Sequence, residues 1–308
     1  MLGSLLLGVS RVPLVRRAVS GVPLTRKVVD RFVAGETTRD AVEAVRRLTA
    51  AGLTATVDHL GEETKDAAAA AQTAGAYAVL LDALSGLGLG DRAEVSVKLS
   101  AVGQALGSDG DKIALENARR ICEAARAAGA NVTLDMEDHT TVDSTLEILR
   151  ALREDFPATG VAIQSYLFRS EADCRDLAHE GSRVRLVKGA YAEPASVAHQ
   201  SRSEVDKAYV RCLRILMAGA GYPMVATHDD RLISITETLA DRFGRSRGGY
   251  EYQMLYGIRT DKQQALAGAG HTVRVYVPYG DDWYGYFMRR LAERPANIAF
   301  FLRALGGK

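Results

Sequence analysis

Two arginines stand side by side in YGYFMRRLAE (residues 284–293), near the end of the chain and among aromatics. At helical spacing Tyr286, Arg289, Arg290 and Glu293 share one face, while Tyr284, Phe287, Met288 and Leu291 form an apolar stripe on another. Such a helix buries the stripe and aims two guanidiniums from the other face. Further groups able to do chemistry recur at intervals: Asp58 with His59, Lys98, Asp135, Gln164, Lys188, His228, Gln253 and Tyr276. Several chemistries fit them. DMEDH (Asp135, Glu137, Asp138, His139) with His228 and Asp229 could serve a metal-assisted hydrolase, although this acidic loop lacks a fixed metal spacing. Lys98 or Lys188 could be the amine of a Schiff-base aldolase, since a buried amine near a second cation acquires the lowered pKa a nucleophile needs. A barrel that binds amino acids without turnover would use the same residues, whereas a purely structural role leaves them unexplained.

What unites these residues is position. Each lies at or near the C-terminal end of a short run rich in β-branched residues: LTATVDH (53–59), EVSVKLS (94–100), NVTLDME (131–137), VAIQSY (161–166), RVRLVKG (183–189), PMVATHD (223–229), YEYQMLY (250–256) and TVRVYVP (272–278). Each run reads as apolar at its start and polar at its end. Between them lie helical stretches such as KDAAAAAQTAGAYAVLLDALSG and VDKAYVRCLRILMAGAG. Eight strand–helix units in about 260 residues predict an α/β fold, a TIM-type (βα)8 barrel, whose strand ends converge on one mouth. We divide the chain into an N-terminal helical arm, 1–50, and a barrel domain, 51–308. For the arginine pair to reach the mouth, the last helix must lie across the barrel top. GLGDRA (88–93) matches a dinucleotide fingerprint but precedes a strand and opens no helix, so it reads as a linker.

Composition narrows the class. Of 308 residues 47% are apolar and 25% charged, with net charge +1, which describes a globular chain able to bury a large core. Lys+Arg (39) and Asp+Glu (38) balance without blocks of like charge, which argues against nucleic acid as a partner. Cys122, Cys174 and Cys212 are far apart and form no C-x-x-C, as expected of reduced cytoplasmic thiols without a metal. In the N-terminal MLGSLLLGVSRVPLVRRAVSGVPLTRKVVDRF the arginines follow the apolar run, unlike a signal peptide. No stretch reaches the roughly 20 apolar residues that span a bilayer. The basic, Leu/Val-rich arm suits a peripheral contact with the inner face of a membrane.

VRLVKGAY (184–191), ATHD (226–229), YEYQMLYG (250–257) and RVYVPYGDDWYGYFMRRLAERPAN (274–297) closely resemble proline dehydrogenase of the monofunctional bacterial type. That family comprises FAD-dependent barrel enzymes oxidising L-proline to 1-pyrroline-5-carboxylate. SVKLS, TLDMED and AIQSY fit earlier strands of the same family, so motifs from seven of the eight strands appear in order, from about residue 40 onward. The resemblance implies Lys98 as a substrate contact with Asp135 as its hydrogen-bonded partner. It implies Arg185 beside the hydride-accepting nitrogen of the flavin, where a fixed cation stabilises the reduced form. Met136, Gln164, Lys188, Gly189, Ala190, Thr227 and His228 would hold FAD non-covalently, with glycine at 189 so that backbone can approach the cofactor. Tyr191, Leu255 and Tyr276 would wall the proline ring, and Arg289 with Arg290 would grip its carboxylate, an anion that offsets the helix dipole's opposition to cations in early turns. Glu62 would pair with the first arginine as a gate. Ala192 stands where larger bifunctional relatives carry Trp, which removes one aromatic cofactor contact. The resemblance further implies quinone as electron acceptor. The sequence runs to Lys308 without a second dehydrogenase domain, so a separate 1-pyrroline-5-carboxylate dehydrogenase would take the product.

Overall fold

The computed structural model describes residues 29–61 and 64–293, without the side chains of residues 289 and 291–293. Strands β1 (Thr54–His59), β2 (Ala93–Val97), β3 (Val132–Leu134), β4 (Gly160–Gln164), β5 (Arg183–Val187), β6 (Tyr222–Ala226), β7 (Glu251–Leu255) and β8 (Val273–Tyr279) form a closed, all-parallel barrel in chain order. It closes where β1 pairs β8, with Thr56 opposite Tyr276 and Asp58 opposite Pro278. All eight strands fall on the runs read from the sequence, with ends moved by up to three residues. The greatest shortening is at β3, where a run of seven residues becomes the three of Val132–Leu134. The GLGDRA segment is a left-handed glycine (Gly88, φ 64°) and a 3-10 turn, Gly90–Arg92, leading into β2, as a linker should be.

Period-two alternation sorts the side chains. Val57, Val95, Val97, Leu134, Val161, Ile163, Val184, Leu186, Val225, Val275 and Val277 are buried within the main hydrophobic core. The alternate positions carry Thr56 and Asp58, Glu94 and Ser96, Thr133, Arg183 and Arg185, Glu251 and Gln253, Arg274 and Tyr276, and these polar groups bond to one another across the barrel. The expectation of strands apolar at their starts therefore needs correcting. Glu94, Arg183, Glu251 and Arg274 lie in the first half of their strands. Ions can sit there because, in a closed barrel, each finds its counter-ion on another strand, a pairing no single strand reveals.

Seven helices follow β1 to β7: α2 (Ala67–Ser85), α3 (Gly110–Ala127), α4 (Val142–Arg153), α5 (Ser170–Leu177), α6 (Arg202–Ala218), α7 (Asp230–Arg242) and α8 (Thr260–Gly268). α1 (Thr38–Ala50) comes before β1 and starts with a Thr37–Asp40 capping box, each side chain accepting the other residue's backbone N–H. It packs against β1 and β8, and its Ala41, Ala44 and Val45 belong to the barrel's own core. The segment read as an arm over 1–50 thus ends in a helix built into the wall, while residues 1–28 lie outside the described residues. α2 is apolar and long enough to cross a bilayer, with mean hydropathy 1.2, but Tyr77, Leu80, Leu81 and Leu84 bury its inner face in the core.

Because α1 covers the seam between β8 and β1, the helix after β8 is released from the outer ring. That helix, α9 (Trp283–Glu293), packs Tyr284, Tyr286, Phe287 and Met288 against Phe32, Val33 and Leu60, with Ile258 and Tyr276 beside them. Leu60 and Ile258 follow the C-terminal ends of β1 and β7, so α9 crosses the mouth, as expected. One detail differs. Tyr286, expected on the same face as the arginines, is itself buried, and the Arg290 guanidinium lies over its ring at 5.1 Å.

Candidate active site

Two ionic layers fill the barrel axis. In the lower one Arg183 Nη2 donates to Glu94 Oε2 at 2.6 Å, and Arg274 donates twice to Glu251, at 2.8 and 3.1 Å. Thr133 and Tyr222 complete this layer by donating to Glu94 and Glu251. Burial opposes the Glu94 carboxylate, but Arg274, Arg183 and Arg185 outweigh it and keep its pKa below the usual range.

Gln253 joins the layers, accepting from Arg185 Nε at 2.6 Å and donating to Glu251 at 2.6 Å. Arg185 Nη1 donates to Asp135 Oδ1 (2.6 Å) and Ser96 Oγ (2.7 Å). Above it, Lys98 Nζ reaches Asp58 Oδ2 (2.6 Å), Asp135 Oδ2 (3.3 Å) and the Tyr276 hydroxyl (3.2 Å). The same hydroxyl lies 2.7 Å from Asp58 and 2.8 Å from Asp135. The expected Lys98–Asp135 bond is present. The three ammonium N–H groups are met within the cluster by Asp58, Asp135 and Tyr276.

These contacts set protonation. Burial disfavours the Lys98 ammonium, but Asp58 and Asp135 overcome it and hold its pKa above the ordinary value. Burial likewise opposes ionised Asp135, yet Lys98 and Arg185 lower its pKa. Burial, Asp135 and Asp58 together push Tyr276 well up, so its phenol keeps its proton. A cationic Lys98 is the opposite of a Schiff-base nucleophile, and Lys188 is held by Asp206 at 2.5 Å and Asp229 at 3.8 Å. In the DMEDH loop, Glu137 accepts from Ser100, Asp138 caps the following turn, and His139 pairs with Glu193. No group of three metal-ligating side chains occurs among the described residues.

Past the C-terminal ends of β5, β6 and β7 opens a cavity of about 1220 Å³, lined by Lys188, Thr227, His228, Leu255, Arg259 and Arg290 among others. Drug-sized ligands occupy roughly 300–1,000 Å³, so the space suits a dinucleotide. Leu255 N–H donates to His228 Nε2 at 2.9 Å, which places the ring proton on Nδ1. Gln164 ends β4 one pleat above Ala162, the partner of Arg185 in the sheet register. Its Nε2 donates to Met136 O at 3.4 Å, while its buried Oε1 has no partner among the described residues. A buried acceptor of this kind calls for a donor, and the N–H of a flavin ring is one, so the residues present fit the cofactor.

Other expected residues are placed less simply. The Met136 side chain is packed in the core, and its carbonyl is what faces Gln164. At Gly189 φ is 124°, and an added Cβ would meet the Tyr166 ring at 2.4 Å, which by itself demands glycine there. Ala190 is exposed and Tyr191 is 41% exposed, its N–H donating to Tyr166 OH at 3.3 Å. Glu62 and the Arg289 side chain lie outside the described residues. Asp58, Ser96 and Gln253 were not assigned site roles, yet they hold Lys98 and Arg185. Asp58 and Gln253 carried the strand-end signal, whereas Ser96 gave none beyond its inward phase.

A family profile described as proline dehydrogenase matches residues 41–303. The proline dehydrogenase of Deinococcus radiodurans is 42% identical over 280 residues, covering 90% of this chain and 90% of the relative. Proline dehydrogenase 1 of Bacillus subtilis (strain 168) is 40% identical over 281 residues, 91% of each chain. Among solved structures, proline utilization A (PutA) from Bdellovibrio bacteriovorus, inactivated by N-propargylglycine, superposes with a TM-score of 0.80 at 25% identity, over 87% of this chain and 32% of that one. Likeness along nine-tenths of two relatives of similar length, together with the shared barrel, leads to one conclusion: this chain belongs to the proline dehydrogenase family, in its monofunctional bacterial form.

Proposed function

We propose that this barrel oxidises L-proline to 1-pyrroline-5-carboxylate using non-covalently bound FAD. The observation that carries the reading is Arg185, only 3% exposed, fixed between Asp135, Ser96 and Gln253 next to the unsatisfied acceptor of Gln164. Bound flavin supplies a two-electron acceptor for the hydride leaving the proline ring carbon as the C–N bond becomes C=N. Arg185 would place a permanent positive charge where negative charge develops, without reorganising during the reaction. Gln164, Lys188, Gly189, Ala190, Thr227 and His228, with the Met136 backbone, would hold the cofactor. Arg290 lines the cavity from α9 and, with Arg289, would bind the substrate carboxylate in the fork geometry guanidiniums favour.

Asp135 would keep Arg185, Lys98 and Tyr276 in register, while Leu255, Tyr276 and Tyr191 would wall the ring and Glu62 would gate the entrance. We extend the reading to quinone as electron acceptor, a separate dehydrogenase as consumer of the product toward glutamate, and a cytoplasmic location with a peripheral membrane contact through the basic, Leu/Val-rich N-terminal segment. The described thiols, all free and buried, are compatible with that compartment. The test is the absorption spectrum of the purified protein before and after L-proline, with the cofactor identified after heat release. A yellow protein that bleaches and yields FAD is expected. Stable colour in proline would indicate a non-catalytic amino-acid binder, and FMN or a covalent flavin would overturn the cofactor assignment.

A further inference from the structure

Among the described residues Arg259 alone, glycines aside, has a positive φ, at φ 50° and ψ 50°. L side chains avoid that left-handed region, and a residue stays there only where its surroundings over-determine it. The surroundings do so here. The Arg259 carbonyl accepts from Lys262 N and Gln263 N, which starts α8, and Gln263 Nε2 ties back to Leu255 O at 3.0 Å and Ile258 O at 2.9 Å.

The side chain reaches out of this turn to the neighbouring one. Arg259 Nη1 donates to His228 O at 2.9 Å and to Asp230 Oδ2 at 2.8 Å, and Lys262 holds the other oxygen of Asp230 at 2.8 Å. His228 is also bound from the β7 side through Leu255 N. The turns after β6 and β7 are thus pinned together where Thr227, His228, Leu255 and Arg259 line the cavity. Glycine or asparagine would adopt the conformation at 259 more easily, so the reason for an arginine lies in its side chain.

We propose that Arg259 is a positioning residue that clamps the β6–α7 turn so that Thr227 and His228 are presented to the cofactor. The inference rests on the flavin reading above. The experiment compares wild type with Arg259→Gly and Arg259→Asn, measuring FAD affinity by titration and the stability of the flavin-free protein by denaturant unfolding. Both substitutions relax the backbone, so unfolding stability should hold or rise, whereas FAD affinity should fall by roughly 10-fold or more. Asp230→Asn, which removes one of the two anchors, should give a smaller loss of affinity in the same direction. Unchanged FAD affinity in both Arg259 variants would overturn the clamp. So would an affinity loss accompanied by lost stability in both, since that pattern marks a merely structural residue. Failure of wild type to bind FAD would remove the flavin reading first, and the clamp with it.

Discussion

The lower ionic layer and the mouth cluster are built from the same parts, two carboxylates and two cations each, yet they serve different ends. Below, Glu94 and Glu251 face Arg183 and Arg274 with every acid side chain at 1% exposure or less. Above, Asp58 and Asp135 face Lys98 and Arg185, but 21% of the Lys98 side chain and 14% of that of Asp135 remain accessible. The lower layer, covered except for 13% of the Arg183 side chain, acts on stability. Its counterpart at the strand ends is the more accessible, so its fixed charges can act on whatever enters the mouth. Exposure, more than composition, separates the lower charge cluster from the one we propose to be catalytic.

The largest effect should come from breaking the lower layer. Glu94→Gln leaves guanidiniums short of a counter-ion, and removing one partner of a buried pair costs about 3–5 kcal/mol. Denaturant unfolding of the flavin-free protein measures it, and a loss within error would mean that water or relaxation compensates for Glu94. At the mouth, Asp135→Asn should show the reverse balance. It loosens Arg185, Lys98 and Tyr276 together, and misplacement of about 1 Å can cost 10²-fold. kcat/KM should fall roughly 100-fold, with a smaller change in unfolding free energy than Glu94→Gln causes; equal stability losses would erase the distinction between the layers.

Arg290→Met probes the cavity side alone. Truncating a buried charge partner costs about 2–5 kcal/mol, which at about 1.4 kcal/mol per tenfold means a proline affinity at least 30-fold weaker, with FAD content retained. Unaltered steady-state constants would remove Arg290 from substrate binding and leave it as packing over Tyr286. Tyr276→Ser should raise the rate with 4-hydroxyproline relative to proline by roughly 10- to 200-fold, the range pocket contacts command. It also strips a hydrogen bond from Asp58 and Asp135, so kcat/KM for proline should drop. A constant ratio between the substrates would place ring discrimination elsewhere, at Leu255 or Tyr286.

The smallest difference is in acid. Glu94 and Asp135 have folded pKa values below their unfolded ones, so their contribution is present above the unfolded carboxylate range of about 4 and is lost as pH falls through the lower folded values. Each such group adds up to about 1.4 kcal/mol per pH unit to the slope of stability against pH. In Glu94→Gln that slope should be shallower below pH 4 by at most this amount, measured by urea unfolding at a series of pH values. An identical slope would show that Glu94 binds its proton equally in both states.

Much of this architecture can be read along the chain, because strand and helix periodicities are local. The eight runs, the rejection of GLGDRA as a nucleotide loop, and the inward reach of Lys98 and Asp135 follow from residue types a few positions apart. Ser96 shows where such reading stops. It looks like any strand serine until β3 and β5 bring Asp135 and Arg185 to its hydroxyl. Gly189 teaches the same from the other side: its positive φ suits a close approach, and one ring that approaches it, that of Tyr166, lies on another loop.

By itself, then, the sequence determined the barrel, the order of its strands, the end at which the reactive groups gather and the family the motifs carry. These depend on hydrophobic phase and on short motifs that remain intact in the unfolded chain. Only the tertiary structure decided that α1 would cover the seam between β8 and β1, which leaves α9 free to take its expected place over the mouth. It alone decided that Lys98 would stay a cation and that Arg259 would bridge two turns. Each of these depends on distances between residues far apart in sequence, and a charge or a strained turn acquires its role only when the partner that compensates it has been brought within a few ångströms.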